Sequence, residues 1–173
     1  MRRSQLEHII RAAGAITNLR DIVVIGSQAV LGQFPEAPDD LLVSIEADVF
    51  PKDRPDLSIQ IDGAIGELSP FHQTFGYYAH GVDETTATLP GGWKDRLVPV
   101  RNDNTAGTTG WCLDVHDLAA AKLAAGRPKD LDFVRVLLRE CMVEAATLHH
   151  RCGQLPLPEV RRAEIAGRLA RLA

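Results

Sequence analysis

Two short apolar strands, separated by a Gly-Ser turn and a loop, constrain the fold of this chain more than any other feature. The first strand, Asp21–Ile25, is rich in β-branched residues and ends at Gly26 and Ser27. The second, Val43–Val49, alternates apolar with polar residues and stops at Pro51. This order predicts a sheet in which the second strand has one buried face and one polar face.

The polar face of the second strand carries two acids. Glu46 and Asp48 lie two residues apart, which is about 6.6–6.8 Å along a strand, and their side chains point the same way. Their oxygens can converge on one hard cation such as Mg²⁺, which commonly takes phosphate as a further ligand. A solvated strand face would also explain the two acids. The opposite face is predicted to be buried and consists of Val43, Ile45, Ala47 and Val49.

Gly26 and Ser27 form a candidate phosphate-binding turn. A glycine allows the backbone to approach a ligand closely, and Ser27 can cap a helix expected over Ser27–Gln33. An ordinary strand-to-helix turn could contain the same two residues. The acidic strand that follows favours a combined phosphate and metal site.

Length and composition indicate one globular domain over residues 1–173. Hydrophobic residues make up 45% and charged residues 24% of the chain, as in ordinary globular proteins. Its apolar runs fall short of the ~20 residues of a membrane helix, and the first residues lead into an amphipathic helix rather than a signal peptide. We therefore expect a cytoplasmic protein with no membrane partner. The three cysteines contain no CxxC pair, which favours free thiols.

The net charge of −4 is unevenly distributed. Residues 1–21 and 155–173 each carry four arginines and two acids, so the residues between them have a net charge of −8. An acidic middle is unlike the basic footprint of a nucleic-acid-binding protein. The charge pattern gives little support to a bound RNA, although the basic termini could contribute.

Hydrophobic periodicity predicts an α/β half, residues 1–113, followed by a helical half, residues 114–173. A capping box at Ser4–Glu7 marks the expected start of the first helix. In the first half we expect helices over 4–16, 27–33 and 55–66, and strands over 21–25, 43–49, 75–81, 85–89, 97–101 and 109–113. In the second half we expect helices over 114–125, 128–141, 142–151 and 158–172. The predicted fold class is α/β (α+β): a mixed sheet with flanking helices and a C-terminal helical bundle, with a cleft between the halves.

A lysine within an apolar helix is the second informative feature. Lys122 interrupts the run Leu118–Ala125 and lies on or beside its packing face, where it could bind a phosphate or carboxylate. Its ammonium could equally reach solvent along the helix surface. Arg127, in the following loop, is either a phosphate contact or an exposed loop residue.

Other polar clusters in the helical half have simpler explanations. Asp130 and Asp132 lie in the first turn of the next helix, where acids interact favourably with the helix dipole without any catalytic role. The cluster of His149, His150 and Cys152 offers adjacent histidines rather than a convergent pair, so it does not favour zinc.

Together these features resemble the minimal nucleotidyltransferases of the polymerase-β-like superfamily. The likeness extends to a small bacterial group of nucleotidyltransferase-like proteins related to AbiEii toxins, and it covers about Ile22 to Arg139. The matching features are Gly26-Ser27, Glu46-x-Asp48, Lys122 within Asp117–Leu123, and the segment Arg127-x-Lys129-Asp130-Leu131-x-Phe133.

The resemblance implies a role for the residues of the first half. Gly26 and Ser27 would hold the triphosphate of a nucleotide, while Glu46 and Asp48 would bind Mg²⁺.

For the second half, the resemblance implies that Lys122 and Asp130 lie in the same cleft. Many members also place a third acid on a neighbouring strand, and this chain departs from that pattern: it has no clear equivalent, although Asp62 and Asp83 are candidates.

Three hypotheses about function follow. The first is a Mg²⁺-dependent enzyme that transfers a nucleotide from an NTP to RNA, a protein or a small molecule, and that acts as the toxin of a pair with an antitoxin. The second is a catalytically degenerate module on the same fold that binds a nucleotide or a partner. The third assigns Glu46-x-Asp48 to a glycosyltransferase-like metal motif, but it leaves the Gly-Ser turn unexplained.

Overall fold

The computed structural model describes residues 1–172, which form two compact units. The first unit consists of Met1–Thr86 and Leu97–Leu113. The second consists of Ala87–Arg96 and the chain from Asp114 onward.

The first unit contains a five-stranded mixed sheet. Its strands are β1 Asp21–Ile25, β2 Glu46–Pro51, β3 Tyr78–Gly81, β4 Val98–Val100 and β5 Thr109–Cys112. They lie in the order β3-β2-β1-β5-β4. The pairs β1–β5 and β2–β3 are parallel, whereas β1–β2 and β4–β5 are antiparallel. The predicted mixed sheet is confirmed.

Four helices accompany the sheet in the first unit: α1 Arg3–Thr17, α2 Val30–Gln33, α3 Ser58–Ile65 and α4 Pro70–Phe75. The apolar stripe of α1 packs against the sheet, and its members Leu6, Ile9, Ile10 and Ala13 are fully buried. Helices α3 and α4 form the connection between β2 and β3. Parallel neighbours need such a crossover.

The second unit contains the predicted helical bundle: α5 Val115–Ala125, α6 Pro128–Arg139, α7 Ala145–Gly153 and α8 Glu159–Ala170. The Asp114 carboxylate caps α5 by accepting hydrogen bonds from the backbone N–H groups of His116 and Asp117. Helix α6 ends earlier than predicted because the chain turns at Cys141, whose φ is 53°. None of the helices within residues 1–172 is long and apolar enough to cross a membrane.

The predicted strand over 43–49 is wrong at its beginning. Strand β2 starts at Glu46, and the side chains of Val43 and Ile45 are 79% and 48% exposed rather than buried. The Ser44 hydroxyl hydrogen bonds with both the N–H and the C=O of Glu46, which closes a local turn in place of an extended residue.

Two further strand predictions need correction. The predicted strand over 75–81 begins late because Phe75 ends α4, which Ser69 caps, and β3 covers only Tyr78–Gly81. The predicted strand over 85–89 is wrong: Glu84–Thr86 forms a 3₁₀ turn. The Asp83 carboxylate holds this turn by accepting hydrogen bonds from the backbone N–H and the hydroxyl of Thr85.

Glu7 is buried in α1 and does not form the predicted capping box. Helix α1 begins at Arg3, and the Glu7 carboxylate instead accepts hydrogen bonds of 2.8 Å from Arg3, Asn102 and Asn104. Burial by itself would raise the pKa of Glu7, but these hydrogen bonds outweigh it and the pKa is lowered. The carboxylate thereby ties α1 to the turn that precedes β5.

Replacing Glu7→Gln should lower the free energy of unfolding by about 1–3 kcal/mol at neutral pH, because the amide lacks the negative charge and replaces one of the two acceptor oxygens with an NH2 group that faces other donors. The lowered pKa means that the stabilisation by Glu7 is present above its ordinary pKa and is lost as the pH falls through the folded-state value. Urea denaturation as a function of pH measures this, with the exposed Glu36→Gln as a control. A deficit that stays constant into strong acid would contradict the assignment.

Candidate functional site

The two acids of β2 lie on one face of the sheet, as predicted. Antiparallel pairing sets Asp48 opposite Ile25, the last residue of β1. The acids therefore lie beside the point where β1 runs into the Gly-Ser turn.

Gly26 and Asp48 are in direct contact. Gly26 adopts a φ of 70° and a ψ of −170°, a backbone conformation that is essentially restricted to glycine. A Cβ atom at this position would lie 2.1 Å from Oδ2 of Asp48. The carboxylate therefore occupies the space that any larger residue at position 26 would need.

Ser27 follows directly but does not cap a continuous helix. The segment predicted as one helix consists of a 3₁₀ turn, Ser27–Ala29, and the single-turn helix α2, Val30–Gln33. Gly26 is the residue that precedes the turn, so the cap predicted for Ser27 is wrong. What Gly26 and Ser27 offer a phosphate is a tight backbone turn beside Asp48.

Strand β3 supplies two partners for the acids that sequence reasoning missed. Parallel pairing aligns Glu46 with Tyr78 and Asp48 with His80. The Tyr78 hydroxyl donates to Oε2 of Glu46 (2.9 Å), and Nδ1 of His80 donates to Oδ1 of Asp48 (3.1 Å). The alternation of Tyr78, Ala79 and His80 was visible in the sequence, but the identity of the partner strand was not.

The two candidates for a third acid have other contacts. Oδ1 of Asp62, on α3, accepts a hydrogen bond from the backbone N–H of Gly81 (3.1 Å). Asp83 holds the turn at Thr85. Among residues 1–172, no group of three or more histidine, cysteine, aspartate or glutamate side chains could hold a metal ion.

The donor chemistry of β2 fits Mg²⁺. Glu46 and Asp48 offer hard carboxylate oxygens on one strand face, and Gly26 leaves room for the Asp48 carboxylate. Mg²⁺ is typically bound through one or two carboxylates together with substrate phosphates and water. Two protein ligands are therefore a sufficient set for a cation that arrives with a nucleotide.

The second unit brings Lys122, Arg127 and Asp130 together. Nζ of Lys122 donates to Oδ1 of Asp130 (3.1 Å), and Nε of Arg127 donates to Oδ2 (2.6 Å). The Asp130 side chain is 1% exposed and that of Arg127 is 63% exposed. Asp130 therefore does more than interact with the helix dipole: it joins two cations, one buried and one at the surface.

Lys122 does not extend into solvent. Its side chain is 11% exposed, and its Nζ lies 4.3 Å from the ring centroid of Phe133. Burial lowers the pKa of Lys122, and the Asp130 carboxylate opposes that shift. For Asp130, burial favours the neutral acid, but Arg127 and Lys122 outweigh it and lower the pKa. Each charge thus supports the other.

The remaining polar residues of the helical half have ordinary roles. Asp132 is exposed and pairs with Arg135 on the same helix. Cys152 is buried, which raises the pKa of its thiol to about 11. We therefore do not include Asp132 or Cys152 in the candidate site.

The candidate residues thus form two groups. Gly26, Ser27, Glu46 and Asp48 belong to the first unit, and Lys122, Arg127 and Asp130 belong to the second. A family model described as a nucleotidyltransferase of unknown function (DUF6036) matches residues 4–150, a range that includes both groups. No curated protein and no solved structure matches the chain. The match covers most of the sequence, and the chain therefore belongs to the DUF6036 family of nucleotidyltransferases.

Proposed function

We propose that this protein is a Mg²⁺-dependent enzyme that transfers a nucleotide from an NTP to an acceptor. The observation that carries the proposal is the contact between the Asp48 carboxylate and Gly26. Glu46 lies on the same strand face as Asp48, and Ser27 directly follows Gly26. This arrangement puts metal-binding oxygens next to a backbone turn that can seat phosphate. RNA, a protein or a small molecule could be the acceptor.

In the proposed reaction an oxygen or nitrogen of the acceptor bonds to the α-phosphorus and gives up its proton to water, the bond from that phosphorus to the bridging oxygen breaks, and pyrophosphate leaves. When bound, Mg²⁺ would neutralise the negative charge that develops on the phosphates. Glu46 and Asp48 hold the cation, and the Gly26-Ser27 backbone orients the triphosphate. Catalysis then depends on positioning and electrostatics rather than on a covalent intermediate.

In the second unit, Lys122 and Asp130 would contribute to nucleotide binding by orienting the guanidinium of Arg127. The buried carboxylate of Asp130 takes two hydrogen bonds from Arg127 and one from Lys122, which orients a guanidinium whose side chain is mostly exposed. A guanidinium presented in this way suits the oxygens of a triphosphate.

Calorimetric titration with ATP, GTP, CTP and UTP, with and without Mg²⁺, tests the proposal. We expect Glu46→Gln and Asp48→Asn to lose metal-dependent nucleotide binding while remaining folded, because each removes a charged oxygen ligand. Asp53→Asn, an exposed acid just beyond β2, is the matched control and should bind as the wild type does. Wild-type Mg²⁺-dependent affinity in the Asp48→Asn variant would refute the assignment, and a wild type that binds no nucleotide would favour a degenerate module whose function lies in a protein partner.

In the same titrations, Arg127→Gln should weaken nucleotide binding about tenfold, or about 1.4 kcal/mol. Arg135→Gln is the control, since Arg135 is similarly exposed and pairs with an acid on the same helix. Equal affinities for the two variants would leave Arg127 with a structural role only.

Replacing Gly26→Ala tests the contact with Asp48, and Gly76→Ala is its control. Both glycines have positive φ, so each alanine should lower stability: by about 1–2 kcal/mol at Gly76, which is left-handed, and by more at Gly26, whose ψ of −170° lies in a region that is essentially restricted to glycine. The space around Gly76 is open, whereas a Cβ at position 26 displaces Asp48. We therefore expect only Gly26→Ala to lose Mg²⁺ affinity in calorimetry; retained affinity would show that the carboxylate can move without consequence.

The resemblance to AbiEii-type toxins supports a more specific proposal, in which this enzyme is the toxin of a toxin–antitoxin pair. Expression without a partner should then arrest growth of a bacterial host. The Asp48→Asn variant, expressed at the same level, should not. Arrest by both proteins would separate toxicity from nucleotide transfer and contradict the proposal.

A further inference from the structure

Two side-chain hydrogen bonds connect β2 with β3 on the same face of the sheet. The strands are parallel, with Glu46 opposite Tyr78 and Asp48 opposite His80, so both acids meet a ring side chain on the same face of the sheet. In each pair the ring contacts a carboxylate oxygen, at 2.9 Å for Tyr78 and 3.1 Å for His80. The acids are therefore held from the side by β3.

Tyr78 is suited to be a permanent donor. Its ring lies against the imidazole of His72, with 4.6 Å between centroids. An ionised carboxylate can only accept hydrogen bonds, so the Tyr78 hydroxyl is the donor in its contact with Glu46.

His80 is more exposed than Tyr78, but it likewise contacts one oxygen of the carboxylate opposite it on β2. Its side chain is 51% exposed, whereas that of Asp48 is 23% exposed. An ionised carboxylate can only accept hydrogen bonds, so the proton of this contact resides on Nδ1 of His80. Strand β2 lies between β3 and β1 in the sheet. The imidazole of His80 therefore contacts the Asp48 carboxylate from the β3 side, and Gly26 contacts it from the β1 side.

We propose that Tyr78 and His80 are positioning residues, each holding one metal-binding carboxylate in the orientation that the cation requires. The inference rests on the proposed function. Glu46 is the first residue of β2 and has three rotatable side-chain bonds, so without a partner its carboxylate would lose rotamer freedom when it binds a metal. Partners of metal-binding groups typically change metal affinity by 10–100-fold.

The test removes one hydroxyl at a time. Tyr78→Phe deletes the donor to Glu46 and keeps the ring. Tyr77→Phe is the matched control, because the neighbouring hydroxyl of Tyr77 contacts Nδ1 of His8 (2.8 Å) instead of an acid. We expect Tyr78→Phe to weaken the binding of Mg²⁺ and of Mn²⁺ about tenfold by calorimetry, and Tyr77→Phe to leave both affinities unchanged.

His80 provides an independent test with a rescue. His80→Ala removes the donor to Asp48, whereas His80→Asn places an amide N–H near the position of Nδ1. Metal affinity should fall about tenfold in the alanine variant and recover in the asparagine variant. Thermal unfolding of the metal-free proteins shows whether either change acts only on stability.

The outcomes separate this proposal from the one on which it rests. Lowered stability with wild-type metal affinity in both Tyr78→Phe and His80→Ala would overturn the positioning role. If Glu46→Gln still lost metal binding in that case, the proposed function would stand. If the wild type bound no divalent cation, with or without a nucleotide, both proposals would fall together.

Discussion

The packing of the Asp48 carboxylate against Gly26 is the contact on which the candidate site depends. It requires three conditions at once: antiparallel pairing that sets Asp48 opposite Ile25, a positive φ at residue 26, and the absence of a Cβ there. A slip of one residue between β1 and β2 would turn both acids to the other face of the sheet. The turn and the acidic strand are therefore one structural element, although 21 residues separate Gly26 from Asp48 in the sequence.

The two units differ in charge in a way that matches the chemistry proposed for each. The first has seven basic and fourteen acidic residues, and the second has twelve basic and nine acidic ones. In the second unit the two buried acids, Asp117 and Asp130, each bind an arginine, Arg96 and Arg127 respectively. Each arginine compensates the charge of a buried carboxylate, and removing it would leave that carboxylate without its partner, which is strongly destabilising.

Local patterns in the sequence predicted the elements that depend on local chemistry. Strands β1 and β5, the shared face of Glu46 and Asp48, and the four helices of the second unit follow from apolar periodicity and turn residues. The exposure of Val43 could not be predicted, because it depends on the hydrogen bonds of Ser44 rather than on alternation. Tyr78 and His80 were missed because strand pairing is a long-range property. The sequence shows that the two acids lie two residues apart, as do the two rings. It does not show that the strand with the acids pairs with the strand with the rings.

The position of β3 has a consequence for the lifetime of the site geometry. This strand has four residues and lies at one end of the sheet order, with β2 as its neighbour. Short strands at the edge of a sheet open locally at a lower free energy than the central strands. When β3 opens, Glu46 and Asp48 lose their ring partners while β1, β2 and β5 stay paired. Under the proposed positioning role, the fraction of molecules ready to bind a cation would be set by the local opening of these four residues and not by the global stability of the fold.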